Sequence, residues 1–262
     1  MKRFNLKALL FIFYLLLAST AKLYGAGGEA KPLKVDWSFK GITGKFDRAS
    51  LQRGFQVYKE VCSSCHSMQY LSYRNLGEPG GPEFSEEEVK AIAASIEIED
   101  GPDEQGEMFT RPGRPADKFK NPYPNVKASI AANGGAYPPD MSVLVKARPG
   151  GSNYIYSVLM GYEDPPADVT LDDGVYYNKY MIGNKIKMAS PLSDDIVEYS
   201  DGTQATIDQM AKDVTTFLSW AAEPELEERH RTGVKVIIYL ILLTTLVYLS
   251  MKKIWSRVDS EV

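Results

Sequence analysis

Three stretches of the chain place apolar side chains about one helical turn apart, which is the pattern of helices that bury one face. Asp47 precedes the first stretch and is a residue type that caps helix N-termini. Ser85 and Glu88 before the second stretch, and Thr206 and Gln209 before the third, have the spacing of capping boxes. The pattern therefore predicts three amphipathic helices. Their apolar positions are, in chain order, Leu51, Phe55, Tyr58 and Val61; Val89, Ile92, Ala93 and Ile96; and Ile207, Met210, Val214, Phe217, Leu218 and Ala221.

Between residues 110 and 200 this helical periodicity is lost. Repeated proline and glycine favour long ordered loops with short helices in this region. Such a long irregular stretch is not expected to be stable through apolar burial alone, so a bound prosthetic group would supply the missing core. We therefore predict a mainly α fold with long irregular loop insertions. The prolines that interrupt the region are Pro112, Pro115, Pro122, Pro124, Pro138, Pro139, Pro149, Pro165, Pro166 and Pro191.

The N-terminal end combines a basic start, an apolar run at residues 8–18 and small residues after it. The run is shorter than the roughly 20 residues that a membrane-spanning helix needs. This order of segments is typical of a secretory signal peptide, which we place at residues 1–25. The alternative is an uncleaved N-terminal anchor.

The C-terminal end carries a longer apolar run at residues 234–251, which reaches spanning length with a little extension at each side. We expect a transmembrane anchor at residues 232–252, the alternative being a buried helix of a soluble domain. Basic residues follow the run directly, and short basic flanks stay on the cytoplasmic side. The sequence therefore predicts an exported domain at residues 26–231 and a cytoplasmic tail at residues 253–262.

The charge of the exported part points to a class of partner. The whole chain is formally −4, and without the signal, anchor and tail the exported part has a net charge of about −10. This balance disfavours nucleic acid, whose phosphates need cationic partners, and favours a basic protein. Residues 83–107 hold ten acidic side chains against the single Lys90. We interpret this stretch as a docking surface for a basic protein, or else as a solvated helix face.

The only two cysteines, Cys62 and Cys65, are followed directly by His66. This Cys-x-x-Cys-His arrangement is the attachment signature of c-type haem. The two thiols add to the two vinyl groups of the porphyrin, and the adjacent imidazole reaches the iron from one side. The motif lies at the end of the first predicted helix, so we expect a c-type cytochrome fold that holds one covalently attached haem c.

Three other interpretations of the cysteine pair have less support. A thioredoxin-like redox pair needs a βαβ pattern around it, which the sequence does not show. A zinc site needs about four ligands, and the chain offers only one further histidine, His230. A structural disulfide across two intervening residues is possible but is rarely used as a cross-link.

Methionine is the usual second axial ligand in c-type electron carriers. His230 lies beside the predicted anchor and is a poor candidate, while Met68 is too close in sequence to His66 to reach the opposite face. Met210 lies on the apolar stripe of the last predicted helix, where packing is the default role. Five methionines remain by this reasoning, and Met188 is favoured among them because it lies in a loop before the last predicted helix. They are Met108, Met141, Met160, Met181 and Met188.

Several blocks of the sequence closely resemble the cytochrome c1 family. The resemblance extends over residues 55–255, nearly the whole mature chain, and is far more specific than the attachment signature alone. The blocks are RGFQVYKEVCSSCHSM at residues 53–68, DGP at 100–102, RPG at 111–113, NPYPN at 121–125, AANGGAYPPD at 131–140, AKDV at 211–214 and FLSWAAEPE at 217–225.

The resemblance implies roles for individual residues. Cys62 and Cys65 would hold the haem, His66 would be the proximal ligand, and Met188 occupies the position of the distal ligand of the family. Arg148 resembles an arginine that contacts a haem propionate, and Tyr154 and Pro139 would line the haem pocket. Some relatives carry a further cysteine pair as a disulfide, which this chain lacks. Residues 77–82 resemble a local insertion of unknown role.

The resemblance also implies a function and its partners. The chain would be the redox subunit of quinol–cytochrome c reductase, respiratory complex III, in a cytochrome bc1 complex that we expect to be dimeric. It would take electrons from the Rieske iron–sulfur protein beside cytochrome b and pass them to cytochrome c. The plain bacterial-type signal favours a bacterial inner membrane, with the haem domain in the periplasm. The alternatives are a haem-anchoring subunit of another respiratory enzyme, or a structural subunit without redox activity.

Overall fold

The computed structural model describes residues 30–258, so the predicted signal peptide at residues 1–25 lies outside the described residues. The described part is mainly helical, as predicted, and its two small sheets are antiparallel pairs. The helices are α1 Arg48–Val57, α2 Glu86–Ala94, α3 Val126–Ala132, α4 Ser152–Met160, α5 Ile207–Ala222 and α6 Leu226–Val258. The strand pairs are β1 Glu97–Asp100 with β2 Phe109–Pro112, and β3 Tyr176–Tyr177 with β4 Lys185–Ile186.

The predicted helix starts are confirmed by their caps. The Asp47 carboxylate accepts a hydrogen bond of 2.9 Å from the Ser50 N–H at the start of α1. Ser85 and Glu88 form the full reciprocal capping box of α2. Thr206 caps α5 by accepting from the Gln209 N–H. The side chain of Gln209 donates to Asp213 instead of completing the box, because α5 buries that carboxylate one turn further on.

Helices α1 and α5 cross at very short range and form the centre of the core. An ideal Cβ built on Gly54 of α1 would lie 2.1 Å from the carbonyl oxygen of Asp213 in α5, so only glycine fits at this crossing. Phe217 of α5 packs its ring against Phe55 and Tyr58, with centroid separations of 5.7 and 5.8 Å. Such aromatic contacts add to the apolar burial. The crossing therefore fixes the position of the helix that leads into Cys62.

A buried ion pair also joins the two crossing helices. Asp213 has no exposed surface, and its carboxylate accepts hydrogen bonds from Arg53 Nε at 2.8 Å and from Ser50 Oγ at 2.7 Å. Arg53 reaches outward from there to Asp201 at 2.8 Å. A buried charge is tolerated only when it is paired and hydrogen-bonded, as this one is.

The proline-rich region between residues 110 and 200 consists of ordered loops around short helices, as predicted. Its longest helix, α4, packs on α5, and the Ser152 and Ser219 hydroxyls are hydrogen-bonded at 2.9 Å across that contact. Residues 77–82, where the sequence suggests an insertion, are packed onto the core. An ideal Cβ on Gly81 would lie 2.8 Å from the Trp220 ring, and Gln52 of α1 donates to the Pro82 carbonyl.

Helix α6 is the one helix among residues 30–258 that is long and apolar enough to cross a membrane. It begins at Leu226, earlier than the anchor predicted at residues 232–252. Arg48 of α1 forms two hydrogen bonds, of 2.7 and 3.0 Å, with the Glu227 carboxylate in the first turn of α6. The Phe46 N–H donates to the same carboxylate. The added residues thus attach the helix to the domain before it extends away.

Candidate haem-attachment site

The two cysteines lie where α1 ends and its backbone changes to a wider winding. Tyr58–Cys62 is a turn of π-helix, closed by a hydrogen bond of 2.8 Å from the Ser63 N–H to the Tyr58 carbonyl. The N–H groups of Cys65 and His66 then both donate to the Cys62 carbonyl, at 3.1 and 2.9 Å. The motif therefore folds into a single compact turn at the end of a rigid helix. Such π-turns within helices are frequent at functional sites.

Both thiols are free and half-buried. Cys62 packs against the apolar core, and burial, followed by the neighbouring Cys65, raises the pKa of its thiol to about 12. Cys62 is therefore a neutral thiol at physiological pH. Two free thiols held on one turn fit the two thioether bonds of a c-type haem.

His66 is held in one orientation by its backbone and by its ring. The side chain is 9% exposed, and its carbonyl accepts a hydrogen bond of 3.3 Å from the Tyr58 hydroxyl. Its ring nitrogen Nδ1 is 2.8 Å from the Pro139 carbonyl oxygen. Because a carbonyl only accepts, Nδ1 carries the hydrogen and Nε2 keeps its lone pair.

The neutral His66 imidazole has the properties of an iron ligand. Burial lowers the pKa of His66 more than the Pro139 carbonyl and the nearby Asp140 raise it. Among the described residues no hydrogen bond to Nε2 is found. A neutral imidazole with a donor bond at Nδ1 and a free Nε2 is the usual form of a histidine that binds a metal. The residues present therefore fit an axially bound haem iron.

Pro139 takes part in the site in a way that the sequence did not indicate. The sequence suggested only that it lines the pocket, whereas its carbonyl is the acceptor for His66, 73 positions earlier in the chain. A cleft also opens beside Cys65, between residues 121–126 and the pair Tyr137 and Pro138. The two sequence blocks at residues 121–125 and 131–140 are thus brought together at the attachment turn. The available signal for this region was the family resemblance of the block at residues 131–140.

The remaining predicted residues lie in the loop region after α3. Tyr154, on α4, donates its hydroxyl to the Met181 sulfur at 3.2 Å. Arg148 is exposed, and its guanidinium donates to the Ala147 carbonyl beside it. Met188 is half-buried, two residues after β4, and its carbonyl accepts from the Tyr162 hydroxyl at 3.1 Å. Of the seven predicted residues, His66 and Pro139 are in direct contact, and Cys62 and Cys65 lie on the same turn as His66.

The other methionines differ in their exposure and in their contacts. Met68 and Met210 have no exposed surface and pack in the core, which for Met210 is the role that its sequence position predicts. Met141 follows the segment that holds His66, and its N–H donates to the Ser67 carbonyl. Met108 is 55% exposed beyond β1. The Met181 sulfur accepts a hydrogen bond from Tyr154, so Met181 is the methionine to compare with Met188 in experiments.

Fold and site together define a class of protein: a helical domain that presents a c-type haem-attachment turn and ends in one long apolar helix. The family model described as Cytochrome C1 family matches residues 37–258. The chain belongs to the cytochrome c1 family. The match covers every element of the described fold, including the long C-terminal helix.

Three relatives illustrate the range of the similarity. Cytochrome c1 of Rhodospirillum rubrum is 50% identical over 241 residues, which cover 86% of this chain and 88% of the relative. Cytochrome b/c1 of Bradyrhizobium diazoefficiens is 49% identical over 248 residues, or 87% of this chain. That match spans only 36% of the longer relative. The cytochrome b-c1 complex catalytic subunit, mitochondrial, of Candida albicans is 50% identical over 227 residues, covering 86% of this chain and 76% of the relative.

Proposed function

We propose that the chain is the electron-transfer subunit of a quinol–cytochrome c reductase of the cytochrome bc1 type, with one covalently attached haem c. The haem iron supplies a one-electron redox centre when it is bound. The observation that carries the proposal is the His66 geometry: a buried, neutral imidazole whose Nδ1–H donates to Pro139 next to two free thiols. Cys62 and Cys65 attach the porphyrin, and His66 is the proximal ligand. We expect no substrate chemistry of the chain's own.

Met188 is the proposed distal ligand. If His66 and Met188 both bind the haem iron, they would leave no open position for substrate, which would suit electron transfer rather than bond chemistry. The loop that carries Met188 is held by the Tyr162 hydroxyl at its carbonyl. Because Tyr162 bonds the backbone carbonyl of Met188, this hydrogen bond does not involve the Met188 thioether.

The distal ligand is tested by a matched pair of substitutions. Met188→Leu should keep covalent haem but open the sixth position, with a shifted Soret band and new binding of carbon monoxide. Met181→Leu is the control, because it is a methionine of the same loop region whose sulfur accepts from Tyr154. A native spectrum and no carbon monoxide binding in Met188→Leu would show that another residue is the ligand.

Arg148 and Tyr154 are proposed to line the haem pocket, with Arg148 on a propionate. Among residues 30–258, the exposed guanidinium of Arg148 bonds only the neighbouring Ala147 carbonyl, so it can turn toward an anionic group. Arg148→Gln should lower the midpoint potential of the haem, because it removes a positive charge and leaves the propionate anion unscreened, and a nearby anion favours the oxidised, more positive iron. An unchanged potential at every pH from 6 to 8 would leave Arg148 as a solvated cation.

The partners follow from the family. We propose that electrons arrive from the Rieske iron–sulfur protein, that cytochrome b carries out the quinol chemistry, and that the complex is a dimer. The names of the relatives from Bradyrhizobium diazoefficiens and Candida albicans, which join cytochrome b with c1 or name the b-c1 complex, support the part of this proposal that places the chain in a complex with cytochrome b. Purification of the native complex should yield cytochrome b and a Rieske protein in equal amounts with this chain. Co-purification with an oxidase or a nitric oxide reductase instead would contradict it.

The proposed acceptor is a basic cytochrome c that docks on the acidic hairpin β1–β2 and its connecting loop. Asp100 is paired with Arg111 and Asp103 caps its own turn, so neither is the best residue to replace. Neutralising the exposed Glu97, Glu99, Glu104 and Glu107 together should slow cytochrome c reduction at low salt. The difference from wild type should shrink as salt rises, since the Debye length is about 8 Å at physiological ionic strength. An equal second-order rate at low salt would locate docking elsewhere.

The chain is proposed to lie in a bacterial inner membrane, with residues 26–231 in the periplasm after removal of residues 1–25. The anchor within α6 and the tail at residues 253–262 complete a single-pass topology. The finding that supports it is the one spanning-length helix, whose apolar side chains from Val234 onward are exposed. A reporter active only in the cytoplasm, fused after residue 262, should be active. An inactive reporter would show that the C-terminus lies on the opposite side of the membrane.

A further inference from the structure

Asp140 joins the two chain segments that hold His66 in place. Its Oδ2 accepts hydrogen bonds from Ser67 Oγ at 2.7 Å and from the Gln69 N–H at 3.0 Å. Its Oδ1 accepts from the Ser142 N–H at 2.8 Å. One carboxylate therefore cross-links residues 67–69, directly after His66, to residues that directly follow Pro139.

Two further hydrogen bonds join the same two segments, and we call the whole set of bonds between residues 67–70 and residues 140–142 the bracket. The Met141 N–H donates to the Ser67 carbonyl at 2.8 Å, and the Tyr70 N–H donates to Ser142 Oγ at 3.1 Å. Ser142 has no exposed surface and Ser67 is 8% exposed, so water competes little for these bonds. Burial raises the pKa of Asp140, but hydrogen bonds from Ser142, Gln69 and Ser67 outweigh burial and hold the pKa below its ordinary value.

We infer that Asp140 is a positioning residue that sets the redox potential of the centre through His66. The inference rests on the proposed haem function. Asp140 does not bond to the His66 ring itself; it fixes the chain on both sides of the hydrogen bond from His66 Nδ1 to Pro139. It also adds a negative charge close to that imidazole.

Both effects of Asp140 lower the midpoint potential of the haem. A firm hydrogen bond from Nδ1–H to a carbonyl makes the imidazole a more basic ligand, which favours the oxidised, more positive iron. A nearby carboxylate also favours the more positive state by Coulomb attraction. Removal of the charge and loosening of the Pro139 segment should therefore both raise the midpoint potential.

The test is a redox titration of the full-length, haem-loaded chain in its native complex. Asp140→Asn keeps the side-chain shape but removes the charge, and should shift the reduced-to-oxidised ratio at fixed potential by about tenfold, which is about 59 mV for one electron. Ser67→Ala keeps the charge and removes one bond of the bracket, and should shift it in the same direction by less. Asp208→Asn is the control, because Asp208 bonds Tyr156 and Lys212 instead.

The outcomes separate this inference from the haem assignment. A normal c-type haem content in wild type tests the assignment alone. A raised potential in Asp140→Asn and Ser67→Ala, with Asp208→Asn unchanged, supports the role of Asp140. If Asp140→Asn does not fold, the Ser67→Ala potential decides the matter. Wild-type potentials in every folded, haem-loaded variant of the bracket would overturn the inference.

Discussion

The substitution Gly54→Ala would place one methyl group where helices α1 and α5 cross. Its Cβ would lie 2.1 Å from the Asp213 carbonyl oxygen, 2.7 Å from the Asp213 carbonyl carbon and 2.8 Å from Phe217 Cβ. Optimal separations between such atoms are about 3.5–4.0 Å. Two of the three atoms are backbone and cannot rotate away, so the helices themselves must move apart by roughly 1 Å.

The size of the effect follows from two opposing contributions. Overpacking of a tight interior contact costs about 1–3 kcal/mol, and occasionally more. Alanine in place of glycine within a helix returns about 0.5–1 kcal/mol of conformational entropy. Since the contact is with backbone, we expect the upper part of the range and a net loss of about 2 kcal/mol in the free energy of unfolding. For a domain of this size that is a drop of about 4–8 °C in Tm.

Thermal unfolding of the purified chain in detergent, followed by circular dichroism, measures this drop. Gly233→Ala is the matched control, because it makes the same change in helix α6 where an added Cβ meets nothing within 4 Å. It should leave Tm unchanged or raise it. A Gly54→Ala protein as stable as wild type would refute the close crossing, and with it the positioning of the attachment turn by α5.

Three further predictions concern charge and anchoring. Arg53→Met leaves the buried Asp213 carboxylate without its cation and should lower the free energy of unfolding in denaturant titration by about 3–5 kcal/mol; a loss under 1 kcal/mol would contradict the buried pair. Hydrogen bonds from Arg111 lower the pKa of Asp117 from 3.8 to about 2. The ionised Asp117 therefore adds to the free energy of unfolding above pH 4, and this stabilisation is lost as the pH falls toward 2. The stability difference between Arg111→Gln and wild type should therefore shrink over that window, and a constant difference would exclude the linkage. Truncation after residue 231 should release a red, exported domain, and its retention in washed membranes lacking the other subunits would contradict the anchor.

The features that could be predicted from the sequence are those that depend on neighbours along the chain. Caps such as Asp47 and Ser85 act over three residues, and a helical stripe repeats every turn, so the starts of α1, α2 and α5 were predicted correctly. The attachment motif is equally local, because its chemistry needs Cys62, Cys65 and His66 on one turn. The apolar run of α6 is visible for the same reason.

Features that depend on distant parts of the chain could not be predicted. The carbonyl of Pro139 meets His66 across 73 positions, and no periodic pattern records that pairing. The capping box at the start of α5 is incomplete because Gln209 donates to the Asp213 carboxylate, which is buried where α1 and α5 cross. Helix α6 begins before the apolar run because Glu227 is held by Arg48 from the other end of the domain. Each of these depends on tertiary contacts that override a local pattern.

Every role proposed for this chain depends on a redox-active haem c attached to Cys62 and Cys65. The most direct measurement is a pyridine haemochrome spectrum of the purified chain, together with haem staining after denaturing electrophoresis, for wild type and for the double variant Cys62→Ala, Cys65→Ala. We expect one c-type haem per wild-type chain that stays bound through denaturation, and no stained band for the double variant. A wild-type chain without haem, or a double variant that stains as strongly as wild type, would contradict it.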